Sequence, residues 1–238
     1  MRLSTEQLPQ HLKRGLAPLY TVYGDEPLLA LEAADRLRAR ARADGYGERE
    51  VLTAEQHFDW SQLRMSGQSQ SLFASRRILE LRIPSGKPGS EGSQALQDLC
   101  GRLPTETITL VCLPGIDWRG QKAAWFAALE AAGAMVEAKQ VARSALPAWL
   151  AERLKAQEQH ASEETLEFVA ERVEGNLLAA YQEVQKLALL FPPGKLAFEQ
   201  VKDSVFDVAR FDVFDLGAVV IAGDAQHLAR VLDALGQE

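Results

Sequence analysis

The first stretch of this chain whose residue types and spacing could handle a nucleotide is the turn after the β-rich run Leu19-Tyr20-Thr21-Val22-Tyr23. A strand–loop–helix that holds a triphosphate reads GxxxxGK(S/T). Its backbone N–H groups cradle the phosphates, the lysine neutralises them and the hydroxyl meets Mg²⁺. Counted from Gly24, the frame here is Gly24-Asp25-Glu26-Pro27-Leu28-Leu29-Ala30-Leu31. Leu29 stands for the second glycine, Ala30 for the lysine and Leu31 for the hydroxyl. Asp25 and Glu26 bring carboxylates to where phosphates would lie, and like charges repel. The pairs Gly86-Lys87 and Gly194-Lys195 lack the following hydroxyl and lie in the wrong places. The β-branched run from Thr107 to Leu113 ends without an acid to hold Mg²⁺. The pattern predicts the shape of a nucleotide-driven protein without its chemistry. No catalytic residue, cofactor or metal site is expected.

Other chemistries fare no better. No GxSxG elbow occurs. The four histidines, His11, His57, His160 and His227, are scattered and show no HxxxH spacing. Glu163-Glu164 opens a helix, where carboxylates suit the macrodipole.

A second segment draws notice for binding rather than catalysis. Gly67-Gln68-Ser69-Gln70-Ser71-Leu72-Phe73-Ala74-Ser75-Arg76-Arg77 is small and polar around one bulky pair, Leu72-Phe73. Two readings stand: the pair tucks into its own core, or it forms an exposed apolar knob for a partner's pocket. Burying such side chains is worth about 1.5–3 kcal/mol each, enough for a binding hot spot.

Elements must position both segments. Strands are predicted at Leu19–Tyr23, around Glu50–Thr53, at Arg77–Ile83, Thr107–Leu113 and Ala134–Glu137. Helices are predicted from Pro27, with Ala30, Ala34, Leu37 and Ala41 on one face, at about Asp59–Met65, Ser93–Cys100 and Gln121–Ala132. The stretch from Pro84 to Gly92 reads as a flexible loop. Alternating strands and helices imply a five-stranded parallel sheet flanked by helices, over residues 1–140. After about Arg143 the strands cease. Helices are predicted at Ser144–Gln157, from Ser162 through Val173, from Leu177 to the stop at Pro192-Pro193-Gly194, and at Phe198–Val205. They form an all-α domain over 141–210. Two further helix patterns, Val213–Ala222 and Ala225–Leu235, look like the start of a third unit over 211–238.

Composition sets outer bounds. The chain has 238 residues, 47% apolar and 25% charged, the balance of a globular protein. Cys100 and Cys112 match no CxxC pattern and read as buried free thiols in a reducing compartment. No apolar leader opens the chain, and the run from Leu216 to Gly223 is too short to span a bilayer. A cytoplasmic protein without membrane contact is expected. Its net charge of −7 argues against a main task of gripping DNA phosphates.

Taken in order, these pieces resemble the delta subunit of the bacterial DNA polymerase III clamp loader. The resemblance rests on Tyr23-Gly24-Asp25-Glu26-Pro27-Leu28-Leu29, on Ser71-Leu72-Phe73-Ala74-Ser75-Arg76-Arg77, on Trp125-Phe126 after Lys122, and on Glu174-Gly175-Asn176-Leu177-Leu178 with Glu183 and Lys186-Leu187. Order and spacing hold from about Leu8 to Phe211. The resemblance implies an AAA+-like α/β domain, a helical lid, and the beginning of a longer helical collar that this chain leaves incomplete. It implies no working nucleotide site. It implies docking on the beta sliding clamp through Leu72 and Phe73, with Gln70, Ser71 and Arg76 beside them; Gln70 stands where some members carry methionine. The implied function is to bind and open that ring for loading onto primed DNA, without a catalytic centre, as part of the polymerase holoenzyme. The implied partners are the clamp and the gamma/tau and delta prime subunits, with primed DNA met only in the assembled complex. A nucleotide-binding ATPase and a scaffold without clamp contact are the alternatives.

Overall fold

The computed structural model describes residues 1–68 and 76–205, and beyond these only residues 220, 225, 228, 229, 231 and 232. The chain divides into two compact units, Met1–Gln140 and Val141–Glu238.

The first unit runs β1 (Arg2–Ser4), α1 (Leu8–Lys13), β2 (Leu19–Tyr23), α2 (Pro27–Ala43), β3 (Glu48–Thr53), α3 (Ser61–Gln68), β4 (Arg77–Arg82), α4 (Gly89–Gly101), β5 (Thr107–Cys112), α5 (Trp118–Gln121), α6 (Ala124–Ala132) and β6 (Ala134–Glu137). Its six strands pair in the order β1-β6-β2-β5-β4-β3, and every pairing is parallel. Five strands were expected. The sixth, β1, lies in a stretch that reads as the lead-in to a helix. Three residues are too few to show a period, and β1 exists because its backbone pairs with β6, Arg2 opposite Met135.

Period-two alternation sends the two halves of each strand to opposite layers. Tyr20, Val22, Ile78, Leu110, Ala134 and Val136 pack under α1 and α2, against Leu8, Leu12, Ala33, Ala34, Leu37 and Ala41. Leu19, Tyr23, Leu79, Leu81, Val111 and Met135 face the other way, onto Leu63 of α3, Leu96 of α4 and Phe126 of α6. Helix α4 starts at Gly89, inside the stretch that composition assigns to a loop. The glycine that suggests a loop is there for packing: a Cβ on Gly92 would lie 2.4 Å from the Trp60 ring. The helix expected over Gln121–Ala132 is α6, beginning only at Ala124; Gln121 ends the separate short helix α5, and Ala123 between them is extended.

The second unit begins with a 3-10 turn and α7 (Leu146–Ala156), then β7 (Gln159–His160), α8 (Glu163–Arg172), α9 (Leu177–Leu190), β8 (Gly194–Lys195) and α10 (Phe198–Lys202). Ser162 caps α8 by accepting the Thr165 N–H, and Asn176 caps α9 by accepting from Ala179. Leu146, Leu150 and Leu154 of α7 are buried, as are Val169 of α8 and Val184 and Leu187 of α9. The expectation that strands cease after Arg143 is corrected by β7 and β8, which pair in parallel over two residues each. Buried Gln159 sits in β7, and its amide donates to the Phe191 carbonyl at 2.8 Å, closing the end of α9. The third unit expected over 211–238 falls almost wholly outside the described residues. Among the described residues no helix is long and apolar enough to cross a membrane.

Candidate functional site

Gly24 ends β2 at the carboxyl edge of the sheet, where open parallel sheets bind ligands. Its φ of +146° is open to glycine, and a Cβ there would sit 2.0 Å from the Ala138 carbonyl oxygen. The chain on both sides is laced to the segment after β6. Ala138 donates its N–H to the Tyr23 carbonyl at 2.7 Å, and Glu26 donates its N–H to the Ala138 carbonyl at 3.1 Å. Pro27 opens α2 with no N–H to give. The Leu28 N–H goes to the carboxylate of Glu26, at 3.3 Å. Burial raises the Glu26 carboxyl above its ordinary range, against the pull of that Leu28 hydrogen bond. The Asp25 carboxylate lies on Gly115, the turn after β5, so closely that a Cβ there would be 1.5 Å from its Oδ1.

Gly24, Asp25, Glu26 and Pro27 therefore share one turn, in which the Glu26 and Leu28 N–H groups already have partners and Pro27 has none to give. At the end of β5, Leu113 is buried. The nearest acid onward, Asp117, accepts the Gly120 N–H at 2.7 Å as the cap of α5. Gly24→Ala is expected to cost about 2 kcal/mol or more, through strain at positive φ and the collision with Ala138. A urea melt checks it, and an unchanged midpoint would mean the turn is not built as described.

Gln70, Ser71, Leu72 and Phe73 lie outside the described residues. Their flanks do not. Glu50 of β3 accepts the Ser66 hydroxyl at 2.5 Å and Arg77 Nη1 at 3.1 Å. Arg77 also donates to the Ser66 carbonyl. Arg76 donates to Glu106 Oε2 at 2.6 Å and to the Asp44 carbonyl at 3.1 Å, with its guanidinium 5.5 Å from the Tyr46 ring centre. Both arginines flanking the segment thus have partners within their own unit. Arg77 is pinned and largely covered, while Arg76 is still half-exposed. Arg76 leads into the amino end of β4, and the Gly24 turn leaves the carboxyl end of β2. A six-residue strand is about 20 Å long, so Arg76 and the Gly24 turn lie at opposite ends of the sheet.

One buried charge cluster has no counterpart among the sequence expectations. Glu80, in the middle of β4, is fully buried and accepts from Arg38 at 3.1 Å, Arg49 at 2.9 Å and Arg82 at 2.8 Å. The signal was a lone acid in the alternating run Arg77-Ile78-Leu79-Glu80-Leu81-Arg82, matched by Arg38 among the apolar residues of α2. Cys100 and Cys112 are free but half-buried rather than buried, and burial pushes their thiols up to about 11 and about 12. His11 is satisfied by the Tyr20 hydroxyl at 3.0 Å. Among the described residues no group of three or more His, Cys, Asp or Glu side chains is placed to hold a metal.

A six-stranded parallel sheet in this order, flanked by helices, defines an α/β unit with an AAA+-like fold. Solved structures agree on the fold. The Bacillus subtilis DNA clamp loader delta protein matches with a TM-score of 0.63 at 20% identity, covering 98% of this chain and 72% of that one. The Thermotoga maritima RuvB Holliday junction branch migration motor matches with a TM-score of 0.54 at 12% identity, over 97% and 80% of the two chains. Residues 20–139 match the family described as "DNA polymerase III, delta subunit". DNA polymerase III subunit delta of Escherichia coli is 32% identical over all of this chain and 69% of its own length. The Haemophilus influenzae subunit delta is 30% identical, over 70% of its length. The chain belongs to the DNA polymerase III delta-subunit family.

Proposed function

We propose that this chain is the clamp-opening subunit of a DNA polymerase III clamp loader, acting by binding rather than by hydrolysis. One observation carries the reading. In a member of this family with an AAA+-like fold, the turn that would take a triphosphate is laced to Ala138 and capped by Glu26. A unit of this kind does work through differential affinity. A closed ring that fluctuates open at one interface shifts toward the open form when a ligand binds that form more tightly. Leu72 and Phe73 supply the apolar anchor, with Gln70, Ser71 and Arg76 at its rim. The exposed side of α3, including Met65, is the surface that presses on the ring interface. ATP bound by the gamma/tau subunits, with delta prime alongside, controls access to this surface, and the assembled complex, in the cytoplasm, is what loads the ring onto primed DNA.

The direct test is to mix the chain with purified beta sliding clamp and run gel filtration. A complex eluting ahead of either component is the expected result. Separate elution from the clamp, with co-elution alongside the other loader subunits, would replace this reading with that of a scaffold.

A further inference from the structure

Away from both segments, the loop after β5 carries a cluster that clamp docking does not use. Trp118 opens α5 and is 64% exposed, an aromatic among the large exposed hydrophobics of the described residues. Two cations sit on it: Lys122 Nζ is 4.8 Å from the ring centre and the Arg119 guanidinium 5.4 Å. Helix α5 buries none of its residues, so packing does not account for an indole here. The turn is nevertheless held in shape. Asp117 caps the Gly120 N–H at 2.7 Å, and the Gln121 amide donates to the Ile116 carbonyl at 2.9 Å. A third cation lies one loop over. Gly86 lies against Pro114 and Ile116, and its neighbour Lys87 is exposed, with its N–H fixed by the Ser85 hydroxyl at 3.2 Å. Asp117 is occupied as a cap, and Asp25 lies on Gly115.

We propose that Trp118, Arg119 and Lys122, with Lys87 beside them, form a binding site for single-stranded nucleic acid at the carboxyl end of the sheet. The chemistry is that of a stacking platform. A base stacks on the indole face, and flexible cationic stems swing from the ring to the flanking phosphates. Concentrating cations on two adjoining loops of a chain with net charge −7 favours a polyanion at this point over the rest of its surface. A planar aromatic among those cations favours a nucleic acid over a merely acidic peptide, because every base offers a π-face.

The test is fluorescence anisotropy of labelled oligothymidylate with the full chain at low ionic strength. Binding should be salt-dependent. Trp118→Ala should weaken it about tenfold and Trp118→Phe much less. Arg119→Ala with Lys122→Ala should reduce the slope of log affinity against log salt by about 1.4, about 0.7 for each cation. An abasic oligonucleotide should bind the wild-type chain about as poorly as oligothymidylate binds Trp118→Ala. Unchanged urea midpoints for the variants tie any loss to the surface. The proposal is overturned by no binding to oligothymidylate, by equal binding of wild type and Trp118→Ala, or by equal binding of abasic and thymidylate strands. Binding of polyglutamate but not of the oligonucleotide would overturn it in favour of an acidic protein partner.

Discussion

Replacing Leu72 and Phe73 together by alanine is expected to weaken binding to the beta sliding clamp by about a hundredfold to ten-thousandfold. Each side chain contributes about 1.5–3 kcal/mol when it leaves water for an apolar pocket, and about 1.4 kcal/mol is tenfold in affinity. The measurement is calorimetry of wild type and double variant against purified clamp. The fold should survive the change. The sheet and its helices are held by residues such as Leu79, Leu81, Leu63 and Phe126. Either side of the segment, the chain is tied by Glu50 to Ser66 and Arg77. Unchanged urea midpoints with lost clamp affinity are therefore the expected pair of results. Clamp affinity equal to wild type would remove the knob from the proposed function. A large drop in the urea midpoint would return Leu72 and Phe73 to their own core. Arg76→Ala makes an instructive companion. Its partner Glu106 is exposed, so the pair adds little stability, and the substitution should shift clamp affinity far less than loss of the knob.

What the sequence made legible, and what it did not, follows from how local each feature is. β2 and β5 announce themselves through β-branched and aromatic runs, and the caps Ser162 and Asn176 through one residue each. The departure from a phosphate-loop frame is equally local, since eight residues, Gly24 to Leu31, contain all of it. β1 was hidden because a three-residue strand has no pattern of its own and depends on β6, more than a hundred residues onward. The start of α4 was hidden because composition cannot separate a glycine that frees the backbone from one, like Gly92, that makes room for Trp60. The contacts that flank the Leu72-Phe73 segment were out of reach for a similar reason. Glu50 meets Ser66 and Arg77 only because β3 and β4 pair with Glu48 opposite Arg77. Asp25 lying on Gly115 needs β5 beside β2, and no spacing along the chain encodes that neighbour.

Glu80 is the residue whose loss should cost the fold most. It has no exposed surface, and Arg38, its partner from α2, is only 8% exposed. Arg49 and Arg82 reach it from β3 and from its own strand while keeping part of their surface in water. Glu80→Gln keeps the volume and removes the charge, leaving the Arg38 guanidinium buried with Asp35 as its remaining counterion. Breaking a buried pair from one side costs about 3–5 kcal/mol, because the abandoned charge cannot return to water. The same group makes stability depend on pH. Burial opposes ionisation of Glu80, but hydrogen bonds from Arg82 and Arg38 and the charges of Arg38 and Arg49 outweigh it, so its carboxyl titrates below the ordinary 4.5. A lowered folded value means that the unfolded chain takes up the proton first as pH falls. The contribution is thus complete above about 4.5 and is lost as pH drops through the lower folded value. Urea melts should show a large gap between wild type and Glu80→Gln at neutral pH, closing in acid as the wild-type carboxyl protonates. Replacing Arg38 and Glu80 together with Met and Leu should recover much of the loss, since an apolar pair avoids the desolvation that the ion pair bears. A gap that stayed constant from neutral to acid pH would show that the substitution acts through packing rather than charge.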